Sequence, residues 1–149
     1  MAPGLFNAGD LFRFGRFYNF DPSLILPVIY RAPGIELIAP EKLAFSLSEM
    51  GLRAELLKGK NIRFKDLLTV TPVTHYSQYI LRINYNTVAK RFLDPIQFTV
   101  TDIWKLAKHY DLEPAIFLNL IYSQYPKLKK LVSGIGVAKD FPLSMNGLD

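Results

Sequence analysis

Between residues 41 and 126, apolar side chains return every three or four positions, the spacing of helices that bury one face. Leu43, Leu47, Met50 and Ala54 form such a stripe over residues 41–57. Gly51 weakens its middle enough to suggest two short helices, and Gly59 marks its end. Residues 62–68 predict a short apolar helix closed by Thr71-Pro72, and Thr74 is placed as the N-cap of a helix reaching Ile80. The next helix opens at Asn84 or Tyr85 and stops at Asp94-Pro95. Thr99 or Thr101 caps a helix that turns Ile103, Trp104, Leu106 and Ala107 toward the core. Glu113-Pro114 begins the last one, because a first-turn proline gives up no helical hydrogen bond. It carries Ile116, Phe117, Leu120 and Ile121 until Pro126 breaks it.

Residues 1–40 depart from this pattern. Phe6, Phe12, Phe14, Phe17 and Phe20 are followed by Pro22, Pro27, Pro33 and Pro40. Prolines so spaced forbid a long helix, and residues 24–30 read as a short strand that Pro27 confines to a sheet edge. The aromatic side chains need cover, so this arm is expected to pack on the helices or on a second copy of the chain. Residues 132–149, with Gly134, Gly136, Pro142 and Gly147, read as a loose tail. The expected fold is therefore mainly α. It is a small helical bundle over residues 61–131, with an irregular, aromatic and proline-rich N-terminal extension over 1–60.

Composition narrows the function classes. Half the residues are hydrophobic, enough for a packed core. The absence of cysteine excludes disulfides, thiol nucleophiles and cysteine-held zinc, and fits a reducing cytoplasm. No apolar run approaches the roughly 18 residues of a membrane span, and Asp10, Arg13 and Arg16 interrupt any signal-peptide core. His75 and His109 read as surface or helix-end residues, and Ser46 and Ser48 have no base at hand. Glu36 and Glu41 fall in ordinary polar positions, and Gly134-Ile135-Gly136 lacks the rest of a phosphate-binding fingerprint. No enzyme activity, cofactor or metal is expected. The net charge is +5, and residues 61–132 hold ten Lys/Arg against five Asp/Glu. The cationic excess thus lies in the helical part, where it permits contact with a polyanion.

Residues 83–92, Ile-Asn-Tyr-Asn-Thr-Val-Ala-Lys-Arg-Phe, read as a tight turn into a short basic helix. Its polar and cationic side chains face away from its apolar anchors, a shape that fits the DNA major groove. A helix ends at Ile80, the turn Leu81-Arg82-Ile83-Asn84 follows, and then come the basic helix, a linker, and the pattern Asp102-Ile103-x-x-Leu106-Ala107. A polar turn at residues 109–114 and a final apolar helix complete the order. This order resembles the helix-turn-helix domain of the Cro/lambda-repressor (XRE) class, over about residues 61–131 and most clearly over 74–121. Arg82 stands where the family's turn has glycine, and Tyr76 and Tyr79 stand where it has small residues.

The resemblance implies sequence-specific binding of double-stranded DNA, as a transcriptional regulator of phage or mobile-element type. Ile83, Val88 and Phe92 would be the anchors, against Ile80, Ile103 and Leu106. Tyr85, Asn86 and Lys90 would face base edges, and Asn84, Thr87 and Arg91 phosphates. Thr74, His75 and Gln78 would meet the DNA backbone from the preceding helix. A homodimer is implied, with the aromatic arm as its candidate interface. The rival reading is a structural or adaptor protein, such as a phage-particle component, that uses the helical domain and arm for protein contacts. Exposure of Tyr85, Asn86 and Lys90 would favour DNA. Trp104 is expected in the core, and tyrosines 76, 79, 85, 110, 122 and 125 mainly as packing residues with surface hydroxyls. Lys127, Lys129 and Lys130 read as a solvated helix end.

Overall fold

Short polar side chains cap four of the eight described α-helices in the computed structural model, which describes residues 3–40, 46–59 and 62–126. The described residues are mainly α-helical, a small bundle without a strand. Helix α1 spans Ala8–Tyr18. Asn7 caps it by accepting from the Asp10 amide at 2.8 Å, while the Asp10 carboxylate accepts from the Asn7 amide at 3.0 Å. The N-terminal arm therefore carries an 11-residue helix, contrary to expectation. No proline falls between Pro3 and Pro22, and the helix fits in that gap.

Residues 24–30 are helical, not a strand. A 3₁₀ turn at Pro22–Ile25 leads into α2, Leu26–Tyr30. Pro22 and Pro27 occupy first-turn positions, where the missing amide would have had no helical acceptor.

Helix α3, Leu47–Lys58, starts at a reciprocal Ser46–Glu49 cap and ends at Gly59 in the left-handed region (φ 66°). It is one helix across Gly51. The expected stripe faces the wrong way. Leu52 and Leu56 enter the core, while Leu47 is 87% and Met50 53% exposed and Ala54 lies outside with them. Leu43 lies outside the described residues. The helix has two apolar stripes, and tertiary contacts select between them. Arg53 fixes the choice by donating from Nε to the Tyr110 carbonyl at 2.7 Å and from Nη2 to that of Asp111 at 2.9 Å.

A 3₁₀ turn, Phe64–Asp66, runs into α4, Leu67–Val70. Helix α5, Val73–His75, has Pro72 rather than Thr74 at its N-cap, with no side-chain cap, and continues as a π-helical turn over Tyr76–Ile80. Helix α6 is Tyr85–Leu93, followed by the 3₁₀ turn Pro95–Gln97. Helix α7, Val100–Tyr110, opens on a Thr99–Asp102 capping box, both bonds 3.1 Å. Helix α8, Pro114–Ser123, begins with Pro114 as expected.

One hydrophobic cluster joins Ala8, Leu11 and Phe12 of α1 to Phe117, Leu118, Ile121 and Tyr122 of α8. The Phe12 ring stands edge-on to Tyr122 at 5.6 Å, and the Tyr122 hydroxyl donates to the Ala8 carbonyl at 2.9 Å. Backbone bonds from Ala8 to Phe98 (2.9 Å) and from Val100 to Phe6 (2.7 Å) tie the arm to the α6–α7 linker. The arm thus packs on the helices as part of their core.

Several single-residue expectations change. Trp104 is only half-buried; it lines a surface groove with Tyr30 and Leu57, and the Lys108 ammonium sits 5.3 Å from its ring centre. His109 is buried, with Nε2 3.1 Å from a Glu49 carboxylate oxygen. Burial holds its imidazole below the usual histidine pKa, against the opposing pull of Glu49. The hydroxyls of Tyr76 and Tyr110 are internal and bond each other at 2.6 Å. Burial raises both phenols, Tyr110 to about 12. Tyr79 and Tyr85 do lie at the surface.

Candidate nucleic-acid interface

The segment before α6 folds as a stitched turn. The Leu81 amide reaches back to the Tyr76 carbonyl at 2.7 Å, closing the π-helical turn. Arg82 then adopts the left-handed region (φ 54°), which reverses the chain. Two side chains satisfy the carbonyls this exposes. Lys105 Nζ donates to Leu81 at 2.9 Å, and Ser77 Oγ donates to Ile83 at 2.6 Å. Asn84 caps α6 by accepting from the Asn86 amide at 2.8 Å.

Helix α6 is held from beneath. Val88 and Phe92 are buried, and Ile83 is half-buried against the same core. The Phe92 ring lies 4.9 Å from Tyr76, 5.1 Å from Phe98 and 5.5 Å from Phe64. Helical geometry then sets Asn86, Lys90 and Leu93 on the opposite face, while Tyr85 heads the same stripe as Val88 and Phe92 at the open N-terminal end of the helix. Asn84, Asn86 and Lys90 are exposed, as are Tyr85 (49%) and Leu93 (87%). Thr74 and Gln78 are exposed on the neighbouring α5 and its π-helical continuation.

Two of the expected contact residues sit at the edge of this face. Thr87 is half-buried; with Lys90, Asn7 and Gln97 it lines a polar depression of about 460 Å³. Arg91 lines the same depression and also ties α6 to α7. Its guanidinium Nη1 pairs with Asp102 Oδ2, the same oxygen that accepts from the Thr99 amide. Asp102 is almost wholly buried, so this pair locks α6 to the start of α7. His75 is half-buried, its ring 5.1 Å from Tyr79.

Sequence reasoning missed three residues that shape the site: Ser77, Lys105 and Asp102. The spacing Thr99-x-x-Asp102 announced a capping box, and with it a carboxylate near the α7 start. Ser77 and Lys105 left no such signal, because their roles depend on the path of the turn. Among the described residues no group of His, Cys, Asp or Glu is placed to hold a metal ion, and no helix is long and apolar enough to cross a membrane. No protein family, curated protein or solved structure matches this chain.

Proposed function

We propose that the chain is a sequence-specific, double-stranded DNA-binding protein that acts as a cytoplasmic transcriptional regulator. In this reading α5, its π-helical continuation, the Arg82 turn and α6 form a helix-turn-helix of Cro-like type, and α6 enters the major groove. The observation that carries the proposal is the solvent-facing pair Asn86 and Lys90, with the exposed Tyr85 at the helix start, on a helix whose other face is fixed by Val88 and Phe92. A rigid mount of this kind lets few side chains specify bases. Asn86 can pair bidentately with adenine and Lys90 can donate to guanine acceptors. Asn84 and Thr87 flank them toward phosphate, with Thr74 and Gln78 reaching the backbone from the neighbouring helix. Arg91 positions α6 through Asp102 and is not counted among the DNA contacts. Two copies on a two-fold site would double the sequence read.

Fluorescence anisotropy with a labelled generic duplex tests this reading. Affinity should fall steeply between low and moderate salt, and Lys90→Ala, as the loss of a base contact, should weaken binding to a selected site by about 1–3 kcal/mol. Absence of binding at low salt would sink it. The adaptor reading draws on the exposed rings of Phe14, Phe17 and Tyr18 on α1, which stack against one another at 4.7–4.9 Å. A protein partner for that face would be compatible with DNA binding by α6.

A further inference from the structure

We infer that the surface groove beside Trp104 binds a small organic acid, a flat apolar body carrying one carboxylate. The groove lies where α2, α3, α7 and the start of α8 meet, and encloses about 540 Å³. Sites for small organic molecules span roughly 300–1,000 Å³ and are mainly apolar, with a few placed polar groups. This groove fits both terms. Leu26, Pro27, Leu57, Trp104, Ala107 and Ile116 supply apolar surface from four helices. The Tyr30 hydroxyl donates to the Val100 carbonyl at 2.7 Å, which commits its proton and leaves the ring to the groove.

Charge selects the occupant. Arg31, Arg53 and Lys108 line the same groove, and none of them has a carboxylate partner among the described residues. Arg53 is held ready. Its Nε and Nη2 donate to the Tyr110 and Asp111 carbonyls at 2.7 and 2.9 Å, which fixes the guanidinium plane and leaves Nη1 outside both bonds. A guanidinium fixed in this way loses little further freedom on meeting a carboxylate, and it stays charged at any working pH. Lys108 adds a cation 5.3 Å from the Trp104 ring centre, so charge and flat apolar surface lie side by side. Asp111 and Glu113 line the groove as well, both exposed. Neither is held by a side-chain hydrogen bond to a described residue, and water screens them more than the half-buried Arg53. The anchored charge is therefore positive, and it favours an anion.

Trp104 is the chain's single tryptophan, so it reports occupancy directly. The probes are phenylpropionate, phenylpropionamide, phenylpropylamine and acetate. Each is titrated into the full chain at neutral pH and followed by Trp104 emission and by its indole N–H resonance. Phenylpropionate should give saturable shifts, and the other three should bind at least about tenfold more weakly. Lys108→Gln changes an exposed position and should weaken phenylpropionate roughly threefold while leaving the amide unchanged. Asp111→Asn should strengthen phenylpropionate, because asparagine accepts the left-handed backbone there (φ 53°) and removes an opposing charge. No saturable change with phenylpropionate would overturn the inference, as would equal or tighter binding of the amine or the amide. Binding that survives Lys108→Gln and weakens in Asp111→Asn would contradict the assignment of charge. DNA enters none of these measurements, so their failure leaves the reading of α6 untouched.

Discussion

At the scale of single residues, Arg82 carries a backbone conformation that L-residues adopt at a cost of about 1–2 kcal/mol. Its side chain makes contacts of its own, so the comparison that isolates the backbone is Arg82→Gly against Arg82→Ala. The glycine protein should be the more stable by about 1 kcal/mol in urea denaturation. Equal stability would mean that the turn does not hold the left-handed conformation in solution. His109 makes a second prediction. Its pKa is lower folded than unfolded, so the unfolded chain binds the proton first as pH falls. Stability should be fully present above about pH 6.5 and decline as pH drops through the folded pKa. His109→Gln should flatten that part of the melting-temperature profile, and an unchanged profile would remove His109 as its source. Most helix ends were legible in the sequence, because Thr99, Asp94-Pro95 and Glu113-Pro114 act through close neighbours, whereas the expected Thr74 cap gave way to Pro72. Arg91 was not legible. Its partner Asp102 is brought to it only when α7 folds back on α6, so a residue read as a phosphate contact also ties two helices together.

At the scale of elements, α3 shows what periodicity can and cannot tell. A run of apolar residues at helical spacing announced the helix, but two stripes share it. Leu52→Ala should destabilise by about 2–5 kcal/mol as a buried deletion. Leu47→Ala should stay within about 0.5 kcal/mol, the range of surface changes. Chemical denaturation of the two proteins compares them directly, and the reverse order would mean that the buried face has been misassigned. The candidate site was more legible than this helix. The turn, the cap Asn84 and the exposed faces of Asn86 and Lys90 follow from local spacing, because Val88 and Phe92 leave α6 a single apolar stripe; Tyr85 falls on that stripe and is exposed because it opens the helix. The π-helical turn before it had no local signature; it forms where Tyr76 is drawn inward to bond Tyr110.

At the scale of the whole molecule, the expected arm and bundle share one core. Phe12, fully buried against Tyr122, lies more than a hundred residues from its partner, a pairing no local pattern could announce. Phe12→Ala should lower stability by about 3–5 kcal/mol. It should also shift the unfolding of the α6 region with it, read as loss of amide protection at Val88 and Phe92. Protection there that survives while α1 unfolds would split the molecule into independent parts. The prolines misled for a related reason, since their restriction is local and Pro22 and Pro27 sit where helices begin. The most direct test of the central proposal is selection from a pool of random duplex DNA at two salt concentrations, wild type beside Asn86→Ala/Lys90→Ala. Reading by α6 predicts enrichment of one short motif by the wild type, persisting at the higher salt, and its loss in the double variant. An enriched motif that the variant retains, or no enrichment at either salt, would contradict it.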